Sequence, residues 1–432
     1  MTAVLKTGDE LHCESGALVT VGEVLGAGGQ GEVRECRMSD GRAVAVKWFN
    51  PQFQTGELRE SIAMLVREKA PSAHFLWPED IVVRAGEFGY LMPLRPAHYA
   101  GLAQVLGRKV TMGFREIVRA ASHTVAAFKA LQAKGLFYCD ISDGNLFVDP
   151  ATGDILICDN DNVGSSRTAP RVLGTPRFMA PEIVRGDAKP SALTDSFSMS
   201  VLLFMLLMND HPLQGAIESK IHVLDARAMQ QIFGTDPVFV FDPDDRRNQP
   251  VPGMHDNALT FWSLYPSVLS RIFIRAFTAG LADPGKRPTF GEWEAVLAAV
   301  SDAIYSCSAC GRQNFYCREK ADAACWGCRR MLVKPRRLLI GGRTTVVVDP
   351  ETKLYARHLT KGSAATPGDV PVAEVVKHPT RDEYGLRNLT DRQWFATPSG
   401  SNTARSIGQG QSISLLPGTR IGFGTQDAVV EL

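Results

Sequence analysis

The segment Tyr138-Cys139-Asp140-Ile141-Ser142-Asp143-Gly144-Asn145 places an Asp and an Asn five residues apart, and Asp159-Asn160-Asp161 follows after a hairpin-like stretch. These residue types at this spacing suit phosphoryl transfer. One carboxylate can orient an attacking hydroxyl, while an amide oxygen and a second carboxylate hold magnesium. Asp and Asn crowd many loops, so the set gains meaning only from the elements that position it.

Those elements occur in order. Leu25-Gly26-Ala27-Gly28-Gly29-Gln30-Gly31-Glu32-Val33 reads G-x-G-x-x-G-x-V, between strand-like runs at Ala17–Val24 and Glu32–Cys36. A strand–loop–strand setting fits a phosphate lid, whereas a dinucleotide fingerprint needs a helix after the glycines. Without a Cβ, the loop's N–H groups can approach phosphate oxygens. Ala43-Val44-Ala45-Val46-Lys47 alternates as a strand and ends on a lysine that can reach the α- and β-phosphates. A helix is expected over Thr55–Lys69, with Leu58, Ile62 and Leu65 on one stripe. It offers Glu60 and Glu68 as partners for Lys47, and Glu60 is preferred because Met64 would pack inward beside it.

Downstream, Gly174-Thr175-Pro176-Arg177-Phe178-Met179-Ala180-Pro181-Glu182 ends in A-P-E, Asp195 opens an apolar helix over Met199–Met208, and Arg287 follows in Asp283-Pro284-Gly285-Lys286-Arg287. Taken together, residues 18–300 resemble the eukaryotic-like Ser/Thr protein kinases. The resemblance implies an α+β, bilobal protein-kinase fold, with an N-lobe at 1–93, a C-lobe at 94–304, and MgATP between them. It makes Asp140 the catalytic base, Asn145 and Asp159 the magnesium ligands, and Lys47 the phosphate-reaching lysine. It assigns nucleotide contacts to Gly26, Gly28, Gly29, Gly31, Val33, Glu60, Met92 and Leu94. It also implies a buried Glu182–Arg287 ion pair.

The departures from that family are specific. Cys139 stands where an Arg usually grips a phosphorylated activation loop, so activation is expected not to need that clamp. Ser142 replaces the lysine that steadies the transferring phosphate. Asp161 replaces the D-F-G glycine and adds a carboxylate able to bind metal.

Composition bounds the rest. The chain has 432 residues, a formal net charge of +1 and 44% hydrophobic residues, enough for two or three cored domains with no global drive toward nucleic acid or membrane. No 18-residue uncharged apolar run exists, and Met1–Glu10 lacks a signal-peptide core, so a soluble cytoplasmic protein is expected. Of nine cysteines, Cys13, Cys36, Cys139 and Cys158 are scattered and read as free thiols. Cys307-x-x-Cys310 and Cys325-x-x-Cys328 form a four-thiolate zinc pattern, a ribbon over 305–335 with almost no core of its own; Cys317 is left over. The basic run Arg329, Arg330, Lys334, Arg336 and Arg337 reads as a solvated linker, with contact to nucleic acid or an acidic partner as the alternative, and Gly234–His255 as an exposed insertion able to serve as a docking loop.

From 336 to 432 helical periodicity gives way to short β-rich runs, Leu338–Ile340, Thr344–Val348, Lys353–His358, Val370–Val376, Glu383–Asn388, Gln393–Thr397, Ser412–Leu416 and Arg420–Phe423, whose spacing near ten residues suggests an all-β sandwich. Gly341-Gly342-Arg343, Tyr355-Ala356-Arg357-His358, Asn388-Leu389-Thr390-Asp391 and Leu416-Pro417-Gly418-Thr419-Arg420-Ile421-Gly422-Phe423-Gly424 resemble a worn forkhead-associated domain. Ala356 occupies a usual serine position, and the Asn-Gly pair is absent. Arg343, Arg357 and Thr390 are candidates for phosphothreonine contact, but a docking or autoregulatory sandwich fits the degenerate motifs better. Kinase, zinc ribbon and forkhead-like tail together resemble bacterial kinases of tellurium-resistance-type systems, which implies a von Willebrand A-domain protein and a metal-dependent phosphatase as partners. Two functional classes follow: an active kinase acting on protein hydroxyls, with Ser165, Ser166, Thr168 and Thr175 as sites in its own chain, or a nucleotide-binding pseudokinase scaffold.

Overall fold

A computed structural model describes residues 5–165, 172–320, 323–360, 370–378, 380–381 and 383–432. Ser166 and Thr168 lie outside these described residues. The chain forms two compact units, Met1–Thr111 with Ala127–Ser198, and Met112–Ala126 with Met199–Leu432.

In the first unit, strands β1 (Glu10–Cys13), β2 (Leu18–Ala27), β3 (Gly31–Met38), β4 (Ala43–Phe49), β5 (Asp80–Arg84) and β6 (Glu87–Pro93) close into an antiparallel barrel, in the order β1-β2-β3-β4-β6-β5. Alternation sends Val19, Val21, Cys36, Val44, Val46, Val82 and Leu91 inward, where Leu5 and Leu11 join them. Closure leaves no strand edge unpaired. Register shifts between Val21 and Gly26 bend β2 just before the glycine loop.

Helix α1 runs Gly56–Glu68, with Thr55 as N-cap accepting from the Leu58 amide at 3.2 Å. Leu58, Ile62 and Leu65 are buried as expected, and the Trp77 indole donates to the Leu65 carbonyl at 2.8 Å. That stripe leaves Glu60 on the exposed face.

A small hairpin pairs Leu146–Val148 with Ile155–Ile157, in the register Ile157 opposite Leu146. The turn therefore returns the chain beside its start, and the Cys158 amide donates to the Asn145 carbonyl at 3.0 Å. This short ladder brings the two acidic stations of the sequence to one place.

In the second unit, Ser267–Phe277 and Phe290–Asp302 are helices, the latter opened by a Thr289–Glu292 capping box. Phe204, Phe273, Phe277, Trp293 and Phe239 form an aromatic core. The segment expected as an exposed insertion contributes to that core. Val238, Phe239 and Val240 are buried, and Phe241 stacks on Trp262 with centroids 4.2 Å apart. Asn248 is buried too, its amide donating to the Leu213 and Val238 carbonyls at 2.9 and 2.7 Å. The many Asp, Pro and Arg residues hid these apolar anchors.

The cysteine segment is a hairpin, Ile304–Ser306 with Gln313–Phe315, followed by a second turn. It is less coreless than expected. Phe315 lies 4.8 Å from Phe114 and 4.5 Å from Tyr265, while Trp326 packs 5.7 Å from Phe114. Nor is Arg337 part of a solvated run: it is buried and pairs with Glu431 at 3.4 Å.

The C-terminal residues form two facing sheets. One holds six strands in the order Thr344–Val347, Arg337–Ile340, Asp427–Glu431, Arg420–Gly422, Trp394–Thr397, Arg405–Ile407. The other holds Lys353–Leu354, Ala373–Lys377, Tyr384–Asn388 and Ser412–Ser414. Trp394, Leu386, Ile340, Leu415 and Val430 fill the space between them. Arg405–Ile407 and Asp427–Glu431 were not among the expected strands, and the expected run Lys353–His358 turns helical at Ala356–Leu359.

Candidate active site

All the catalytic candidates except Glu60 converge within the first unit. On the outgoing arm of the β2–β3 loop, Gly26, Gly28 and Gly29 are exposed, and a Cβ on any of them would meet open space. Gly31 differs: a Cβ there would sit 2.0 Å from the Trp48 carbonyl oxygen. Gly31 is therefore required by the close approach of β3 to β4, while the other three put no side chain into the space beside the loop; the Gly28 amide donates to the Gly31 carbonyl at 2.8 Å. Val33 is half-buried on β3; Met92 is buried and Leu94 half-buried at the end of β6.

Lys47 projects from β4 and is only 4% exposed. Its Nζ donates to Asp161 Oδ1 and Oδ2 at 2.8 and 3.0 Å, to Gln30 Oε1 at 3.1 Å and to Asp159 Oδ1 at 3.4 Å. Glu60 is not brought to Lys47, because the Leu58–Ile62–Leu65 stripe faces inward and turns Glu60 to solvent. Burial disfavours the Lys47 ammonium, yet the Asp161 and Asp159 carboxylates outweigh it and raise its pKa. Asp159 shifts up as well: burial and the Asp161 charge raise it, while Lys47 opposes them. Tyr90, also missed in the sequence, donates its hydroxyl to Asp161 Oδ1 at 3.0 Å.

Asp159 adopts a left-handed conformation, φ 50° and ψ 45°, and begins a short turn over Asn160–Asn162. Asn160 locks that turn by donating to the Leu76 and Ile157 carbonyls at 2.8 and 3.1 Å. Asn145 donates to the Asp140 carbonyl at 2.9 Å and to Asp140 Oδ2 at 3.1 Å. The remaining oxygen, Asp140 Oδ1, accepts from the Thr175 hydroxyl at 2.7 Å. The Asp140–Asn145 loop is thus tied to the Thr175 segment through Asp140 itself.

Cys139 holds a left-handed φ of 72°, a strained value for a residue with a side chain. The Asp195 carboxylate fixes it by accepting from the Tyr138 and Cys139 amides at 2.6 and 3.2 Å. Burial pushes Asp195 up to about 7, with the two amides pulling the other way. Cys158, beside Asp159, is raised to about 12, chiefly by burial, so it is an inert thiol.

A second cluster lies in the other unit. The sulfurs of Cys307, Cys310, Cys325 and Cys328 all lie within 4.8 Å of one another. Cys307–Cys328 is 3.8 Å and Cys310–Cys325 is 3.7 Å. A tetrahedral zinc–thiolate site with bonds of about 2.3 Å has sulfur–sulfur edges of about 3.8 Å, whereas a disulfide needs about 2.05 Å. The donor set therefore fits zinc. Each knuckle closes alike: Gly311 donates to the Cys307 carbonyl at 2.8 Å and Arg329 to the Cys325 carbonyl at 2.9 Å, both in left-handed backbone. Asn314 adds an amide 3.6 Å from the Cys325 sulfur, and Cys317 stands outside the four.

The protein kinase domain family model matches residues 19–292, well over half of the chain, and the chain belongs to that family. Among curated relatives, it is 25% identical over 228 residues to a probable serine/threonine-protein kinase of Dictyostelium discoideum, covering 50% of this chain and 14% of the relative. It is 32% identical over 195 residues to protein kinase C delta type of Rattus norvegicus, covering 43% of this chain and 24% of the relative. Serine/threonine-protein kinase PknA of Mycobacterium tuberculosis is 28% identical over 208 residues, covering 44% and 47%. The chain thus spans less than half the length of these relatives. Among the described residues no helix is long and apolar enough to cross a membrane.

Asp195 sets a pH dependence. Its folded pKa of about 7 exceeds the usual Asp value near 4, so the native state binds a proton that the unfolded chain releases. Its contribution is fully present below about pH 4 and is lost as pH rises through about 7. Thermal melts across that window should show a decline with rising pH that Asp195→Asn flattens.

Proposed function

We propose that the chain is a serine/threonine protein kinase that transfers the γ-phosphate of ATP to protein hydroxyls. The observation that carries the reading is the string Thr175–Asp140–Asn145, hydrogen-bonded at 2.7 and 3.1 Å and held in one unit with Lys47 and Asp159. Asp140 would accept the proton of the incoming hydroxyl, and Thr175 would have to yield or share that oxygen. Asn145 and Asp159 offer the hard oxygen donors that suit magnesium, which when bound neutralises charge on the β- and γ-phosphates. The loop of Gly26, Gly28 and Gly29 would let the phosphates approach its backbone with no Cβ in the way, Lys47 would reach the α- and β-phosphates, and Val33, Met92 and Leu94 would flank the base. Ser165 and Thr175 are the described candidates for phosphorylation within the chain.

The organisation we infer is N-lobe 1–93, C-lobe 94–304, zinc ribbon 305–335 and forkhead-associated-like sandwich 336–432. Docking is a better role for the sandwich than phosphothreonine capture. Arg357 is engaged by Asp302 at 2.8 Å, His358 by the same carboxylate at 3.0 Å, and Thr390 by Asn388 at 2.7 Å, while Arg343 is exposed. A cytoplasmic signalling complex with a von Willebrand A-domain protein and a metal-dependent phosphatase follows from the resemblance of the whole architecture.

Labelled γ-phosphate transfer by the wild type should require magnesium and fall by at least about a hundredfold in Asp140→Asn and in Lys47→Ala. A wild type that binds MgATP yet transfers nothing would point to the pseudokinase scaffold instead. Metal analysis should find about one zinc per chain, lost in Cys307→Ser/Cys310→Ser; full retention by that variant would sink the zinc assignment.

A further inference from the structure

We propose that Asp161 is the positioning residue for Lys47, so that the loop carrying the metal carboxylate, rather than helix α1, anchors the phosphate-reaching ammonium. The proposal deepens the kinase reading and rests on it.

Geometry separates the two carboxylates by task. Asp161 is 2% exposed and presents both oxygens to Lys47 Nζ at 2.8 and 3.0 Å. The Tyr90 hydroxyl donates to Oδ1 at 3.0 Å and holds the carboxylate from β6. Asp159 touches Lys47 with one oxygen at 3.4 Å, and its side chain is 41% exposed. One carboxylate faces inward to the lysine; the other is open toward an incoming metal.

Helix α1 supplies no carboxylate. Its buried face is Leu58, Ile62 and Leu65, and Glu57, Glu60 and Glu68 are all exposed. Among the described residues, the ion-pair partners of Lys47 are Asp159 and Asp161. A buried ammonium needs a close partner, because neither water nor a distant charge offsets its desolvation. Asp161 occupies the position where a family glycine was expected, two residues after Asp159 in a turn locked by Asn160. The lysine and the metal ligand are therefore set by a single loop. A swing of α1 would not assemble or disassemble the site, whereas displacement of the Asp159–Asp161 turn would remove both groups together.

The test is a double-mutant cycle on the full chain, read as the MgATP dissociation constant by calorimetry at saturating magnesium. This readout does not depend on phosphate transfer, so the pairing can fail or stand apart from the kinase reading, which the transfer assay decides. Lys47→Met and Asp161→Asn should each weaken binding about tenfold or more, and the double variant should be no weaker than Lys47→Met alone. Asp161→Glu should recover most of the affinity, and Glu60→Gln should leave it unchanged. Multiplicative losses would overturn the proposal. So would an Asp161→Asn variant that matches the wild type at saturating magnesium and weakens only when magnesium is lowered, which marks a metal ligand, or a loss confined to Glu60→Gln. If the unpaired ammonium unfolds Asp161→Asn, the double variant should melt above it; a double variant that melts lower than both single variants contradicts the pairing.

Discussion

The site depends on one buried contact, the Lys47 ammonium against the Asp161 carboxylate at 2.8 Å. Leaving either charge buried without its partner would cost about 3–5 kcal/mol, which makes the pair a constraint on everything around it. β4 must deliver the lysine, β6 must deliver the Tyr90 hydroxyl, and the Asn160 amide must hold the turn that presents Asp161. The closed barrel serves this end by fixing β4 between β3 and β6. The small hairpin serves it from the other side, by returning Cys158 to Asn145 and so setting Asp159 beside the Asp140–Asn145 loop.

A similar economy runs through the second unit, where polar anchors sit at the junctions of otherwise apolar modules. Asp302, at the end of its helix, takes both Arg357 and His358 of the sandwich. Asp349 accepts from Arg115 at 2.6 Å and from the Ser306 amide at 2.9 Å, tying sandwich, helix and cysteine hairpin together. Burial raises the Asp302 pKa while contact with His358 and Arg357 lowers it, and the contacts prevail. The Phe114, Tyr265 and Phe315 rings add apolar contact to the cysteine segment, so zinc there would complete a module that already packs.

Much of this was legible in the residues. Alternation in Ala43–Lys47, the 58/62/65 stripe and the Asp140–Asn145 spacing all describe local periodicity, and each element formed where that periodicity placed it. The misses share a cause: they depend on contacts between segments distant in the chain. Glu60 and Asp161 both offer a carboxylate, and only the orientation of α1 decides that Glu60 faces solvent. Tyr90 carries no motif, Gln30 is a variable position of the glycine loop, and Thr175 read only as a phosphate acceptor; their contacts arise because the fold brings them to Asp161, Lys47 and Asp140. The segment 234–255 looked exposed because its polar residues outnumber Val238, Phe239 and Val240, yet those three anchor it. In the sandwich, Asp427–Glu431 alternates exposed and buried like any strand, but its partner Arg337–Ile340 lies almost a hundred residues earlier.

The central claim is that the loop bearing Asp159 also holds the lysine, with and without nucleotide. The most direct measurement is a crystal structure of the full chain with magnesium and a non-hydrolysable ATP analogue. The account predicts Lys47 Nζ within hydrogen-bond reach of both Asp161 and the α- or β-phosphate, with Glu60 still in solvent. A lysine released from Asp161 and paired with a glutamate of helix α1 would contradict it.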